Sequence, residues 1–360
     1  MSPLSLARVT LAAHAFAALM ISALLLYLVN NYLVYWQEMP GPYALLEHYG
    51  WFDPDEAGQL DDERIAMGWK QIAAYSLFFL LALLHAWWQR HLPLRDLAQR
   101  LQSLSAYVVR GAFWAVMLIG FVDMIISMLR IEGLLGGLVG EQLLKELGRP
   151  SFRGEYVHYP LLLLGYVLAL FLRNVSFAWL SLLVVLAEFA IVITRFVFSY
   201  EQAYMGDLVR FWYAALFLFA SAYTLVHEGH VRVDVFYANF SRVKKAWANI
   251  VGSLFLGIPL CWVILMHGMG GRGNSINSPF LSFEISQSAY GMYVKYLMAG
   301  FLVIFAVSMM IQFVSYLVLN IARLVDPRPE DEPEMEGMHR PVEVGDAPHA
   351  VLPDNAGGSR

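Results

Sequence analysis

The chain has 360 residues, of which 59% are hydrophobic and only 15% charged, with a formal net charge of −5. Soluble domains carry about 25% charged residues, and a water-soluble fold of this length has no means of hiding so much apolar surface. A single cysteine, Cys261, excludes a disulfide framework and a thiolate metal cluster, and no basic block resembles a nucleic-acid footprint.

A spanning helix needs roughly 20 mostly apolar residues. Eight candidates follow in chain order: Val9–Trp36, Trp69–Trp88, Arg110–Leu129, His158–Leu172, Phe177–Phe198, Leu208–Val226, Ala246–Met269 and Tyr296–Ile321. The first is about twice the length of a signal-peptide apolar region and precedes no A-x-A site, so it reads as a retained membrane helix. Trp36, Trp69, Trp87, Trp88 and Trp247 fall where an aromatic belt places amphipathic rings. The fourth candidate holds barely 15 apolar residues and reads as either a short span or a re-entrant segment. Gly133–Gly140 and Glu141–Leu147 read as either a loop or an interfacial stretch. Pro259 is expected to kink the seventh helix without ending it. The predicted class is therefore an all-α polytopic membrane bundle of about eight spans with interfacial amphipathic helices.

Lysine and arginine in the loops set orientation. With eight spans, Arg8, the Arg90–Arg100 group, Arg173, the Arg232–Lys245 group and Arg323 share one side. The opposite side includes the acidic segment Glu47–Glu63, with Arg130–Arg153 as an exception carrying four basic residues. Both termini are expected in the cytoplasm. From Asp326 onward the chain is rich in Pro, Glu and Gly and is expected to form a disordered tail, 326–360.

Ionisable groups inside spans are costly and are usually paired or functional. Asp123 and Glu188 are the deepest. They read either as a proton or ion relay or as buried hydrogen bonds that fix helix register. Asp207 and Arg210, three apart at the start of the sixth helix, are close enough to pair. A haem site would need histidines at matched depth on neighbouring helices; His14, His85 and His267 offer no such pair on one span. The glycine-rich Gly270–Gly273 lies at a helix exit with no strand before it and reads as a turn. No GxSxG, HExxH or Walker pattern is present.

The most informative stretch runs from Thr194 to Phe240. An apolar helix ends in Arg195–Phe198, Asp207 precedes an aromatic-rich helix, and that helix ends in His227–Glu228–Gly229–His230 followed by Val231–Arg232–Val233–Asp234–Val235. Phe236, Phe240 and Val243 then alternate with Asn239, Arg242 and Lys245 as an amphipathic piece suited to a membrane surface. This order resembles the small membrane subunit of tripartite ATP-independent periplasmic (TRAP) transporters, the DctQ-like family, over about Asn174–Leu324. Phe196 stands where the family usually has Tyr, and Asp207, or else Glu201, stands for the family's Glu. The resemblance implies a chain without chemistry or cofactor of its own. Its partners are a large permease, which holds the sodium ions, and a periplasmic solute-binding protein; the complex takes up small organic acids or related solutes. It marks Arg195, Asp207, His230, Arg232 and Asp234 as assembly residues in a domain of 173–325. Residues 1–172, about four further helices, lie outside the common core and are left without an assigned role. The rival readings are a haem-binding redox subunit and a self-sufficient transporter or channel using Asp123 and Glu188.

Overall fold

The structure is a computed structural model that describes residues 3–51, 60–173, 177–226, 237, 240–286 and 291–328. All regular elements among these residues are helices: α1 (Pro3–Tyr35), α2 (Gly41–His48), α3 (Asp62–Trp88), α4 (Leu94–Ile131), α5 (Leu135–Val139), α6 (Glu141–Leu147), α7 (Pro150–Arg153), α8 (Tyr159–Phe171), α9 (Phe177–Phe198), α10 (Ala203–Val226), α11 (Arg242–Gly252), α12 (Ile258–Met269), α13 (Asn277–Ser282) and α14 (Lys295–Val325). Among the described residues, eight helical runs are long and apolar enough to cross a membrane, as the sequence predicts.

The boundaries move where a polar cap or a proline decides them. α3 starts at Asp62, earlier than expected, because the Asp61 carboxylate accepts from the Arg64 N–H at 2.8 Å and caps the first turn. α4 starts right after Pro93, which cannot continue a helix backwards. Its 38 residues therefore include Arg95 and Arg100, which the sequence reading assigns to a loop.

Two prolines that sit inside spans share one local solution. A proline lacks an N–H, and its ring collides with the carbonyl four residues earlier. Before Pro160 the chain forms a π turn over Gly154–His158; before Pro259 it forms another over Ser253–Gly257. In each case the carbonyl at risk, on Tyr156 or Phe255, lies inside the π turn. As a result Pro150–Phe171 is one helical run of 22 residues, about 33 Å, which matches a hydrocarbon core of about 30 Å. The fourth span is thus long enough to cross, which the sequence reading leaves open. Arg242–Met269 is likewise one run. Arg242, Lys244 and Lys245 accordingly form the first turn of a spanning helix and not the end of a separate amphipathic piece. Gly133–Leu147 holds the two short helices α5 and α6.

α4 and α14 form the centre. α4 packs on α8, α14 and α10, while α14 also contacts α11 and α12. Small residues allow the close approaches: a Cβ on Gly165 of α8 would lie 2.5 Å from the Ala115 backbone nitrogen of α4. Hydroxyls fasten the same helices, with Ser105 donating to the Ser308 carbonyl at 2.9 Å and Ser315 to the Ala98 carbonyl at 2.7 Å. α1 is tied to α12 and the turn after it by Tyr27, Asn31 and Tyr35, which donate to the carbonyls of Leu265, Met269 and Gly270. One hydrophobic core therefore draws on both the first and the second half of the chain.

Candidate functional site, a buried polar junction before the last helix

The chain segment Gly291–Val294 approaches α14 from inside the bundle. Two carboxylates grip it. Asp207 on α10 accepts from the Met292 N–H at 3.0 Å, and Asp123 on α4 accepts from the Tyr293 N–H at 2.8 Å. A buried amide without an acceptor is costly, so two adjacent acids on two helices fix where α14 begins. Asp207 also accepts from Ser286 at 3.1 Å and pairs with Arg210 at 3.5 Å, as its i,i+3 spacing predicts.

Asp123 is the centre of a larger network. Its Oδ1 accepts from Arg153 Nη1 at 3.0 Å and from His158 Nε2 at 3.1 Å, and all three side chains are fully buried. Arg153 donates further to Ser127 at 3.1 Å and to the Leu147 carbonyl at 3.0 Å, and its guanidinium lies 4.0 Å over the Tyr293 ring. His158 Nδ1 is 2.8 Å from the Tyr296 hydroxyl. The arrangement is satisfied by a neutral imidazole whose Nε2–H donates to Asp123 while Nδ1 accepts from Tyr296. Arg130 adds a 2.6 Å bond to the Tyr293 hydroxyl.

The π turn explains how Arg153 and His158 reach one oxygen. On an α-helix, residues five apart point about 140° away from each other. A π turn closes i→i+5 hydrogen bonds, so residues five apart stack as residues four apart otherwise do. Gly154 within that turn also leaves room for the Phe283 ring, which would lie 2.3 Å from any Cβ there.

Asp123 thus takes the buried ion-pair alternative of the sequence reading. Arg153 and His158 are the members that reading misses. One counted only as a basic residue in an outer loop, the other as a helix boundary. The signal in the sequence is Asp123 itself: an acid in mid-span demands a cation, and Arg149 and Arg153 lie just before the start of the fourth span. The same fact weakens Arg130–Arg153 as an exception to loop charge bias. That bias concerns loop residues, whereas Arg153 is buried and Arg130 is engaged with Tyr293.

Glu188 does not join this junction. It is exposed near the middle of α9 and has no hydrogen-bond or ion-pair partner among the described residues. α9 packs principally on α10 and buries Leu180, while Val185, Phe189 and Phe196 are 60% or more exposed. Arg195 is exposed in the last turn of α9 and pairs with Glu201 at 3.3 Å, leaving Asp207 to the inner site. Next to that pair, Tyr200 donates to the Glu132 carboxylate at 2.5 Å, and this bond pushes the phenol above its usual pKa. His230, Arg232 and Asp234 lie outside the described residues, as do Phe236, Asn239, part of Glu47–Glu63 and the tail beyond residue 328.

The junction presents no activated nucleophile among the described residues: its carboxylate, guanidinium and imidazole are engaged with one another, although Arg153 Nη2 is left without a hydrogen-bond partner. Among the described residues no group of three His, Cys, Asp or Glu side chains converges as a metal site would require. What the arrangement does physically is lock α4, the α7–α8 run, α10 and α14 into one register.

Residues 182–323 match the family model for the DctQ component of tripartite ATP-independent periplasmic transporters. The match begins within α9 and ends at Arg323 in α14, so it covers the last four spans. The chain has no significant match among curated proteins or among solved structures.

Proposed function

We propose, from the match of residues 182–323 to the DctQ component of tripartite ATP-independent periplasmic transporters, that this chain is the small membrane scaffold subunit of a sodium-coupled TRAP uptake system. The family match over the last four spans carries this reading. The large permease holds the solute and sodium sites, a periplasmic solute-binding protein delivers small organic acids or related solutes, and this chain braces the static part of the assembly. It sits in the bacterial inner membrane with both termini in the cytoplasm and performs no catalysis.

Two features support a scaffold role. The deepest acid, Asp123, is held by three internal donors and paired with a buried guanidinium, so its charge is already balanced inside the chain. The outward face of α9, with Glu188 at its middle, is by contrast uncovered. A carboxylate facing lipid at mid-membrane costs about 2.5–3.5 kcal/mol, and a neighbouring protein surface with donors removes that cost. Residues 1–172 then act as an enlargement of the scaffold, fastened to the family segment by contacts from Asp123, Arg130 and Arg153 to Tyr293.

The test is to purify the tagged chain from native membranes and identify what comes with it. A large permease is expected in near-stoichiometric yield, with solute uptake only when both chains and the solute-binding protein are reconstituted. Sodium-dependent uptake by the chain alone in liposomes would refute the proposal.

A further inference from the structure

Away from the junction, at the opposite end of α4, a cavity of about 670 Å³ lies between α4 and the end of α8. Its α4 side is Gln99, Gln102, Ser103, Ala106, Tyr107 and Arg110. Their spacing of three, four and seven places them on one helix face. Ala169, Leu170 and Arg173 close the other side, and the lining includes no carboxylate. Arg110 Nε is buried without a hydrogen-bond partner. Neither Arg110 nor Arg173 has an ion-pair or hydrogen-bond partner among the described residues. Two guanidiniums, two amides and the Ser103 hydroxyl around one space, with no carboxylate in the lining to balance them, make a site for an anion; the Tyr107 hydroxyl is spent on the Tyr166 carbonyl.

Depth decides which anion. From Arg110 to Ile131 at the end of α4 is about 32 Å of helix, one hydrocarbon thickness. Arg173 follows two residues after the spanning run Pro150–Phe171. Both guanidiniums therefore lie at the same membrane boundary. Leading away from them along α8, Leu170, Val167 and Leu163 form an i, i+4, i+7 stripe that is 54%, 41% and 66% exposed. A phosphate bound by arginines at the boundary, with an apolar groove running inward from it, matches the two parts of a phospholipid. Arginine's planar fork suits phosphate oxygens.

We propose that this cavity binds the phosphate of an anionic phospholipid, held by Arg110 and Arg173 with Gln99, Gln102 and Ser103 around the headgroup and an acyl chain along Leu163, Val167 and Leu170. The site belongs to the part of the chain outside the family match, and it holds whatever the transported solute is.

The experiment is native mass spectrometry of the full chain released from detergent loaded with equal phosphatidylglycerol and phosphatidylethanolamine. The wild-type chain is expected to retain one phosphatidylglycerol in preference. The double variant Arg110→Gln/Arg173→Gln is expected to lose that retention by tenfold or more at unchanged thermal stability, and Arg173→Lys to retain an intermediate amount. If the double variant does not fold, Arg173→Gln alone decides, since Arg173 is exposed and has no hydrogen-bond or ion-pair partner among the described residues; it is expected to lower retention at least threefold. Equal retention by wild type and variant would overturn the proposal. So would displacement of the lipid by millimolar inorganic phosphate or glycerol 3-phosphate, which would make this a site for free phosphate. Occupation by an acidic side chain of a co-purified protein, seen by cross-linking at Gln102→Cys, would overturn it as well.

Discussion

Replacing Asp123 by alanine removes the acceptor shared by three buried donors, Arg153 Nη1, His158 Nε2 and the Tyr293 N–H. Arg153 keeps hydrogen bonds only to Ser127 and the Leu147 carbonyl, besides its stacking on Tyr293, and its charge stays buried without a carboxylate to offset it, with Nη2 already without a partner. Breaking a buried pair in this way costs about 3–5 kcal/mol. At 1.4 kcal/mol per tenfold change, that is about two to three and a half decades in the unfolding equilibrium. The double variant Asp123→Leu/Arg153→Met removes both charges at similar volume. It is expected to recover more than half of the loss, because the main penalty of the single variant is the stranded cation. The assay is reversible unfolding of the purified chain in mixed detergent micelles, run as a double-mutant cycle. A loss under about 1 kcal/mol for Asp123→Ala, or a double variant as unstable as the two single variants summed, would show that the junction does not hold the helices as described.

Asp207→Ala should cost about 1–3 kcal/mol by stranding the Met292 amide. Hydrogen exchange at Met292 should quicken more than at amides in the middle of α14. Gly165→Val should cost at least 1–3 kcal/mol through overpacking, because its Cβ would meet the Ala115 backbone at 2.5 Å and a backbone cannot rotate away; Gly137→Ala, with nothing within 4 Å of its Cβ, should be neutral in the same thermal assay. Glu188→Leu should leave the isolated chain as stable or more stable, while lowering recovery of the large permease in affinity purification severalfold. An unchanged yield would mean that Glu188 is not in the subunit contact.

The eight spans were legible in the sequence because a bilayer imposes a length and a composition on every crossing, and both are properties of contiguous residues. The Asp207–Arg210 pair was legible for a related reason, since three residues on a helix fix a distance. The order of Arg195–Phe198, Asp207 and the sequence His227–Val235 sufficed to identify the resemblance that the comparison places at residues 182–323. The full length of the fourth span was not legible, because Arg153 and Glu155 look like loop residues and the acid that pairs with Arg153 lies on another helix. Only tertiary structure decided that Arg153 and His158 belong inside the bundle, since the acid that offsets them is 30 and 35 residues away on another helix. It also separated Asp123 from Glu188, two mid-span acids that read alike. Which face of a helix meets a neighbour is set by contacts across the bundle: α4 turns its carboxylate inward to a cation and an amide, whereas α9 turns its own outward.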